Sequence, residues 1–366
     1  MPTINVIIVD DSILYRTVLS SVIKRIPDTH VVATAMDGMQ AIDKMRTARV
    51  DLVTLDVEMP VMDGIETLEK IRNEFPDVSV VMVSSLTKRG AEVTIKALEK
   101  GAFDFITKPA EGSREENEAF FEQQMKIIIN GLQTRLTIRA MRVKDGRPNA
   151  SPVTGETVLT VARSKPVPLR PSLAAYPKIV AIGSSTGGPN ALTELIPRFP
   201  TGFPVPVVIV QHMPPVFTAS LAESLNARSA VTVIEAKDGE ELNAGTVYIA
   251  PGGMQMKVVA GEKKGKRTIK ITDDPPENFC KPSVDYLFRS IAKEYRSEAL
   301  GVILTGMGSD GTLGLRLMKR HNVRVIGQNA ATCVVYGMPG EAKKAGVVDL
   351  ELPIQEIAGE IIKTVL

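Results

Sequence analysis

The 366-residue chain contains no tryptophan, and aromatic residues make up only 4% of it. Hydrophobic residues nevertheless reach 44%, so we expect cores built from aliphatic side chains and methionine. The 44 basic and 42 acidic residues leave a formal net charge of +2. This near-balance argues against a protein held mainly by nucleic-acid phosphates, which usually requires a strong basic excess.

Cysteine is also scarce, since only Cys280 and Cys333 occur. Two distant cysteines exclude a disulfide framework and a four-cysteine metal cluster, so a reducing cytosol is the expected setting. The N-terminal sequence MPTINV lacks the basic region of a signal peptide. Apolar runs such as residues 205–210 are much shorter than the ~20 residues that a membrane-spanning helix needs. We therefore expect a cytoplasmic protein without membrane insertion.

The length of the chain fits two domains. Within residues 1–132, short apolar runs alternate with helical patterns in five units, which predicts a five-stranded, parallel, doubly wound α/β domain. Residues 133–176 contain five prolines and are predicted to be a linker whose first turns continue the preceding helix. Alternation resumes in residues 177–366, which predicts a second doubly wound, mostly parallel α/β domain with a small hairpin.

Polar residues mark the ends of predicted strands in the first domain: Asp10, Asp11, Asp56, Ser84 and Lys108. Because the carboxyl ends of parallel strands meet at one edge of a sheet, we expect these side chains to lie together. Three neighbouring carboxylates repel one another unless a cation lies between them, and hard oxygen ligands favour Mg²⁺. Lys108 supplies a positive charge suited to a phosphoryl group.

These residues, with the segment VEMPVMDG after Asp56, resemble the receiver domain of response regulators over residues 1–130. The resemblance implies that Asp56 is phosphorylated and that Ser84 and Lys108 contact the phosphoryl group. It implies four magnesium ligands: Asp10, Asp11, Asp56 and the backbone carbonyl of Glu58. Phe105 stands where the family has an aromatic that changes rotamer on activation, although plain core packing explains it equally well.

A second motif, GSSTG at residues 183–187, follows a predicted strand and fits the G-x-S-x-G pattern around Ser185. Its glycines allow a tight turn, and the helix that follows points its positive end toward the site. The motif alone is weak, because a turn rich in glycine and serine more often binds phosphate or only reverses the chain. Dinucleotide binding is disfavoured, since the G-x-G-x-x-G spacing is missing.

A serine nucleophile needs a base, usually histidine, and an acid that orients it. The chain has three histidines: His30, His212 and His321. His30 belongs to the first domain and His321 lies in a charged segment, whereas His212 directly follows a predicted strand. His212 is therefore expected at the same sheet edge as Ser185. The segment LTGMGSDG at residues 304–311 follows another strand, ends near Asp310, and has glycines that let backbone N–H groups face an oxyanion.

Together these segments resemble the catalytic domain of chemotaxis protein-glutamate methylesterases over residues 178–366. The resemblance implies Ser185 as nucleophile, His212 as base and Asp310 as orienting acid. It also implies that the backbone N–H groups of Met307 and Thr186 stabilise the oxyanion. The order Ser…His…Asp differs from the order in α/β-hydrolases, which argues against a generic esterase.

Further segments match that family, among them KPSVD at 281–285 and VVYGMP at 334–339. The YGMP part is interpreted either as a structural turn near the site or as a substrate contact. The sequence departs from the usual family pattern at four positions, which we expect at the rim of the site: Gln255, Asn329, Ala330 and Gly340.

The combined resemblance implies a phosphorylation-regulated hydrolase that demethylates glutamate methyl esters and deamidates glutamines on the cytoplasmic helices of chemoreceptors. It implies a chemotaxis histidine kinase as phosphodonor, Mg²⁺ in the receiver domain, no cofactor at the esterase site and no nucleic-acid partner. We expect the receiver domain to cover the face around Ser185 until phosphorylation of Asp56 loosens it. Two alternatives remain: a transcriptional regulator with a DNA-binding rear domain, and a catalytically silent module that binds receptors or kinase.

Overall fold

The computed structural model describes residues 3–109, 112–144, 176–263 and 265–366. Residues 145–175, which hold most of the predicted linker, lie outside the described residues. One parallel α/β sheet precedes this gap and another follows it. The predicted fold class is therefore confirmed.

The first domain is a five-stranded parallel sheet with the strand order β2-β1-β3-β4-β5. Its strands are β1 (Ile4–Val9), β2 (Thr29–Ala35), β3 (Leu52–Asp56), β4 (Ser79–Ser85) and β5 (Asp104–Lys108). Its helices are α1 (Ile13–Arg25), α2 (Gly38–Thr47), α3 (Gly64–Glu74), α4 (Lys88–Glu99) and α5 (Arg114–Lys144). The central strand β3 is buried along its whole length, because helices cover both faces of the sheet. The strand order reverses between β1 and β3, which places a crevice at their carboxyl ends.

Helix α5 continues well beyond residue 132, where the sequence pattern of the first domain fades. No proline occurs between Pro109 and Pro148, so nothing in residues 133–144 breaks the backbone hydrogen bonds of the helix. The first part of the predicted linker is therefore helical, as the sequence allowed. None of the helices in the described ranges is long and apolar enough to cross a membrane.

The second domain has a seven-stranded parallel sheet with the order β14-β13-β12-β6-β7-β9-β8. Its strands are β6 (Ile179–Ser184), β7 (Val207–Gln211), β8 (Thr232–Glu235), β9 (Thr246–Ile249), β12 (Ala299–Ile303), β13 (Arg324–Gln328) and β14 (Leu350–Leu352). Its helices are α6 (Gly188–Leu195), α7 (Phe217–Asn226), α8 (Val284–Tyr295), α9 (Thr312–Lys319), α10 (Met338–Lys344) and α11 (Ile354–Val365). The chain leaves β6 on one side and returns through β12 on the other, so the switch point lies at the end of β6.

The predicted hairpin is also present outside the main sheet. Its two strands, β10 (Gln255–Ala260) and β11 (Arg267–Thr272), pair antiparallel. Gly265, in the loop between them, has a φ of 84°, a conformation that glycine adopts without strain. The hairpin packs against α8, which places it beside the segment that leads into that helix.

The two domains pack against each other through α4 and β5 of the first domain. Helix α4 contacts α6 and α7. The Phe105 ring stacks on the Phe217 ring, with centroids 4.7 Å apart and an interplanar angle of 12°. Phe105 is half-buried, so its ring belongs to the interface between the domains and not to the interior of the first.

Polar contacts accompany this stacking. Asn190 Nδ2 donates to the Ala102 carbonyl oxygen at 3.1 Å. Glu99, the last residue of α4, accepts hydrogen bonds from Ser224 on α7 and from Arg228 just after that helix. These contacts place the first domain along the length of α7 and beside the amino-terminal end of α6, which follows strand β6.

Candidate active site

Four charged side chains converge at the carboxyl ends of β1, β3 and β5. Asp56 ends β3, and Asp10 and Asp11 follow β1. Lys108 Nζ lies 2.7 Å from Asp56 Oδ2 and 2.9 Å from Asp10 Oδ2. Carboxylate oxygens of the three aspartates lie within 4.8 Å of one another. The structure thus brings together four of the residues that the sequence predicted for this site.

The electrostatics of this cluster favour an added cation. Burial and the neighbouring Asp10 raise the pKa of Asp56 to about 6, although Lys108 lowers it. Burial also raises the pKa of Asp10. Asp10 Oδ2 is buried, and within the described ranges its partner is the Lys108 ammonium at 2.9 Å. Such an oxygen, facing further carboxylates, fits a hard divalent cation such as Mg²⁺.

Ser84 and Glu58, the other predicted members of this site, are not engaged with Asp56. Ser84 lies at the same edge, but its hydroxyl donates to the Gly90 carbonyl oxygen at 3.1 Å. Its contact with a phosphoryl group requires a rotation of the side chain and stays a prediction. Glu58 follows β3, and its side chain lies 3.5 Å from Arg89. The role of its carbonyl group as a metal ligand stays a prediction too.

Ser185 lies on the sharp turn between β6 and α6. Its N–H donates to the Thr305 carbonyl oxygen at 3.0 Å, and its own carbonyl accepts from Gln211 Nε2 at 2.9 Å. Gly187 has a φ of 72°, and a Cβ atom there would clash with Val334. The turn therefore requires glycine at that position, and Ser185, two residues before it, stays partly accessible.

His212 and Asp310 form a hydrogen-bonded pair at the same sheet edge. His212 follows β7, and its N–H donates to the Ser184 carbonyl oxygen at 3.1 Å, which sets it beside the Ser185 turn. Its Nε2 lies 2.8 Å from Asp310 Oδ2. The base and the acid predicted from the sequence are thus brought together. In the part of the chain that the structure describes, no hydrogen bond joins Ser185 to either ring nitrogen.

Asp310 is held in its ionised form by the start of α8. Its Oδ2 accepts from the Val284 N–H at 2.7 Å, and its Oδ1 accepts from the Asp285 N–H at 3.0 Å and from Ser283 Oγ at 2.9 Å. Burial raises the pKa of Asp310, but the lowering by His212 and by these N–H donors outweighs that effect and brings the pKa to about 2. The positive end of a helix favours a carboxylate in this position. Asp310 therefore remains a fixed hydrogen-bond acceptor for the imidazole.

His212 uses its two ring nitrogens differently. Because Nε2 faces Asp310, Nδ1 is the nitrogen left for proton transfer, and it lies 3.6 Å from Cys280 Sγ. Burial lowers the pKa of His212, but Asp310 and Cys280 outweigh that effect and raise it to about 9. An imidazole with a raised pKa is a stronger base once it is neutral.

Two backbone N–H groups at this edge are free to bind an oxyanion. Those of Met307 and Thr186 donate no hydrogen bond within the described residues, whereas the N–H groups of the preceding residues, Gly306 and Ser185, are bonded. The Gly306 N–H donates to the Val335 carbonyl oxygen at 3.0 Å, and the Gly306 carbonyl accepts from the Met338 N–H at 2.8 Å. The loop that carries Met307 is thus fixed at Gly306, the residue before it. Preorganised donors of this kind are what a developing oxyanion needs.

Comparison with known proteins agrees with this geometry. The chain matches the CheB methylesterase family over residues 180–361 and the response regulator receiver domain over residues 6–117. A protein-glutamate methylesterase/protein-glutamine glutaminase of Desulfotalea psychrophila is 47% identical over 366 residues, covering 100% of this chain and 99% of that protein. The chain belongs to the protein-glutamate methylesterase family.

Further relatives support the assignment of both domains. The Bacillus subtilis protein of the same name is 43% identical, over 98% of this chain and 97% of that protein. The crystal structure of the Thermotoga maritima CheB methylesterase catalytic domain matches with a TM-score of 0.50 and 44% identity, over 52% of this chain and 99% of that chain. The first domain is therefore a receiver domain, and the second is the hydrolase domain of a chemotaxis methylesterase.

Gln211 is a member of the methylesterase site that the sequence analysis missed. It is 1% exposed, its Oε1 accepts from Ser184 Oγ at 2.7 Å, and its Nε2 donates to the carbonyl oxygens of Ser185 and His212 at 2.9 and 3.1 Å. One side chain thus ties the nucleophile turn to the base. The sequence did contain one signal for this residue, namely a polar side chain at the end of an apolar strand.

The expectation that the unusual residues lie at the rim was wrong for Gln255 and Gly340, which are buried. Gln255 Oε1 accepts from the Ser283 N–H at 2.8 Å, and its Nε2 donates to the Pro275 carbonyl oxygen at 3.1 Å. It therefore supports the segment that leads into α8, behind Asp310. Both ends of this buried amide thus have hydrogen-bond partners inside the protein, so Gln255 has a structural role and is not part of the rim.

The YGMP segment has a structural role in the methylesterase domain. The N–H groups of Gly337 and Met338 both donate to the Gly306 carbonyl oxygen, at 3.0 and 2.8 Å. Met338 is fully buried. Of the two interpretations considered, the contacts support a turn that fixes the oxyanion loop.

The receiver domain approaches the nucleophile turn directly. Asp104, at the start of β5, is 8% exposed, accepts from the Phe105 N–H at 2.9 Å and is hydrogen-bonded by the side chain of Thr186. Burial raises the pKa of Asp104 to about 7, against the lowering effect of these two donors. A cavity of about 450 Å³ between the two domains is lined by Asn130 and Gly131 of α5 and by the loop at Met307.

Proposed function

We propose that this protein is a phosphorylation-regulated hydrolase that removes methyl groups from glutamate methyl esters on chemoreceptor helices. The observation that carries the proposal is the His212–Asp310 pair of 2.8 Å at the same sheet edge as the Ser185 turn. The full-length likeness to curated protein-glutamate methylesterases supports the substrate. Their second name supports deamidation of selected glutamines by the same groups.

In this mechanism Ser185 Oγ attacks the ester carbonyl while its proton passes to Nδ1 of His212. The N–H groups of Met307 and Thr186 stabilise the resulting oxyanion. Collapse of the tetrahedral intermediate breaks the bond to the methoxy group, which takes the proton from His212 and leaves as methanol. Water then attacks the acyl-enzyme with the same proton transfers and releases the glutamate carboxylate. Asp310 holds the imidazole and stabilises its protonated form.

The receiver domain is proposed to accept a phosphoryl group on Asp56 from a chemotaxis histidine kinase. Asp10, Asp11, Asp56 and the Glu58 carbonyl would hold Mg²⁺ there. The cation would supply charge neutralisation for phosphoryl transfer. Lys108, which already contacts Asp56 at 2.7 Å, would neutralise an oxygen of the phosphoryl group.

Regulation is proposed to be steric. The receiver domain packs on α6 and α7 and reaches Thr186 through Asp104, so a receptor helix has no free access to the Ser185 turn from that side. Phosphorylation of Asp56 is expected to weaken this packing. A folded fragment without residues 1–176 should therefore show higher basal activity than the full chain, and an equal or lower rate would contradict this hypothesis.

The decisive experiment measures methanol release from methylated receptor signalling fragments. Wild type and Ser185→Ala are each assayed with and without a small phosphodonor and Mg²⁺. We expect release that depends on Ser185 and increases with the phosphodonor. No release from folded wild type under any of these conditions would favour a catalytically silent module instead.

A further inference from the structure

Phe279 is the most exposed large hydrophobic residue in the described part of the chain, with 97% of its surface accessible. It lies between Asn278 and Cys280, in the segment that runs up to α8. Isolated apolar residues on a surface are common. The position of this one is unusual, because both of its neighbours contact members of the catalytic site.

The backbone around Phe279 forms a tight turn. The Cys280 N–H donates to the Glu277 carbonyl oxygen at 2.8 Å, and the Glu277 N–H donates to the Cys280 carbonyl oxygen at 3.1 Å. The two central residues, Asn278 and Phe279, have φ values of 53° and 62°. A turn with two left-handed central residues favours asparagine first and glycine second. A phenylalanine in the second position therefore adds backbone strain that glycine would avoid.

The turn is anchored to the catalytic groups on both sides of the phenyl ring. Asn278 Nδ2 donates to Asp310 Oδ1 at 3.0 Å and to Asp285 Oδ2 at 2.9 Å. Cys280 Sγ lies 3.6 Å from His212 Nδ1. These contacts fix an exposed aromatic side chain next to the base and the acid. Backbone strain that is maintained by surrounding contacts is often found at functional sites.

We propose that Phe279 is a substrate-docking residue that packs against the apolar side chains of the helix carrying the esterified glutamate. This inference rests on the proposed function. A methyl ester is small, so recognition of a protein substrate needs contacts with the chain on either side of it. An aromatic ring supplies a large apolar surface with little conformational entropy to lose. Contact with a substrate helix would also remove this ring from water, where it is now almost fully exposed.

The test is a binding titration with the full chain carrying Ser185→Ala, in the presence of a small phosphodonor and Mg²⁺, against a methylated receptor signalling fragment. We expect Phe279→Ala and Phe279→Gly to raise the Kd about tenfold or more. Phe279→Tyr should keep most of the affinity, because it retains the ring. The glycine variant is the sharper one, since it relieves the strained turn and should not lower the thermal midpoint.

The matched control is Leu366→Ala, which removes another exposed apolar side chain, 72% accessible, at the end of α11. Its Kd should equal that of the parent. An unchanged Kd in both the alanine and the glycine variants would overturn the role of Phe279. Absence of binding by the parent would overturn the partner that we assign to it. Methanol release by the wild type decides separately whether the proposed chemistry holds.

Discussion

Replacing Asp104 by asparagine is expected to strengthen the docking of the receiver domain that we propose to be autoinhibitory, although the substitution removes a charge from a domain interface. The carboxyl group is 8% exposed, and its partners are the Phe105 N–H at 2.9 Å and the side chain of Thr186. Asparagine has the same shape. Its carbonyl oxygen can accept from the Phe105 N–H, and the Thr186 hydroxyl can either donate to that oxygen or accept from the amide NH2 group. Because asparagine is neutral, the substitution removes the free-energy cost of burying an ionised carboxylate.

The pKa of Asp104 gives the magnitude. Burial raises it from 3.8 to about 7, and one pKa unit corresponds to 1.36 kcal/mol, so ionisation of the buried group costs about 4 kcal/mol. Only the part of this cost that disappears when the receiver domain undocks affects the docking equilibrium. If that part is a third, the ratio of docked to open protein increases about tenfold in the variant at neutral pH.

The sign of the pH dependence follows from the same shift. The docked state binds the proton more tightly than the open state, so docking is strongest below the pKa of the open state, which is about 6 when a third of the shift disappears on undocking. It weakens as the pH rises toward 7 and does not change further above that value. The basal activity of wild type, divided by that of Asp104→Asn, should therefore rise between about pH 6 and 7 and then level off.

The assay is methanol release without phosphodonor, across this range, for both full-length proteins. Taking the ratio cancels the titration of His212, which both share. Asp104→Ala serves as a comparison because it leaves the Thr186 hydroxyl and the Phe105 N–H without their acceptor, so it should loosen docking. The reasoning is refuted if Asp104→Asn is as active as wild type or more active at pH 7.5 without phosphodonor.

Three further predictions concern single contacts. Phe105→Ala removes the stacking on Phe217 at 4.7 Å and should raise basal methanol release several-fold, with little change in the phosphodonor-stimulated rate; an unchanged basal rate would mean that the stack does not hold the interface. Gln211→Leu removes the hydrogen-bond partner of the Ser184 hydroxyl and of the His212 carbonyl oxygen, and one of the two donors to the Ser185 carbonyl oxygen. It should lower the free energy of unfolding by about 2–4 kcal/mol in denaturant titration. The pKa of His212 is raised to about 9 and the base must be neutral, so kcat/KM should rise with pH up to that value. Asp310→Asn removes a group that raises this pKa, so the rise in kcat/KM should occur at lower pH in that variant.

The sequence was sufficient to predict the sheet edges, because strand endings and parallel pairing are properties of local pattern. Asp10, Asp56 and Lys108 meet as expected, and so do His212 and Asp310. These residues share one feature, namely that each directly follows or ends an apolar run. Their proximity then results from the topology of a parallel sheet.

The contacts that hold these residues in place were harder to predict. Gln255 acts across 28 residues on the Ser283 N–H, and a pairing at that separation leaves no periodic signal. Phe279 was missed because the sequence at its turn, asparagine followed by phenylalanine, departs from the asparagine–glycine pair that usually indicates two left-handed residues. Only the backbone angles reveal the turn, and only the side-chain contacts place it beside the base.

Strands β4 and β5 and helix α4 connect the Asp56 site, where we propose phosphorylation, with the hydrolase domain. Lys108 ends β5 at the Asp56 carboxylate, while Asp104 and Phe105 begin the same strand at the interface with the hydrolase domain. Ser84 donates to the Gly90 carbonyl oxygen in the first turn of α4, and the last residue of that helix holds α7.

A phosphoryl group on Asp56 would compete with Gly90 for the Ser84 hydroxyl and would draw on the charge of Lys108. Both changes act on elements that carry interface contacts, so no separate relay is needed. The docked state is thus opposed by the buried charge of Asp104 and favoured by the contacts of β5 and α4 with the hydrolase domain. Because these two terms oppose each other, the net free energy of docking is smaller than the contribution of the contacts alone. Phosphorylation would have to overcome only this net free energy.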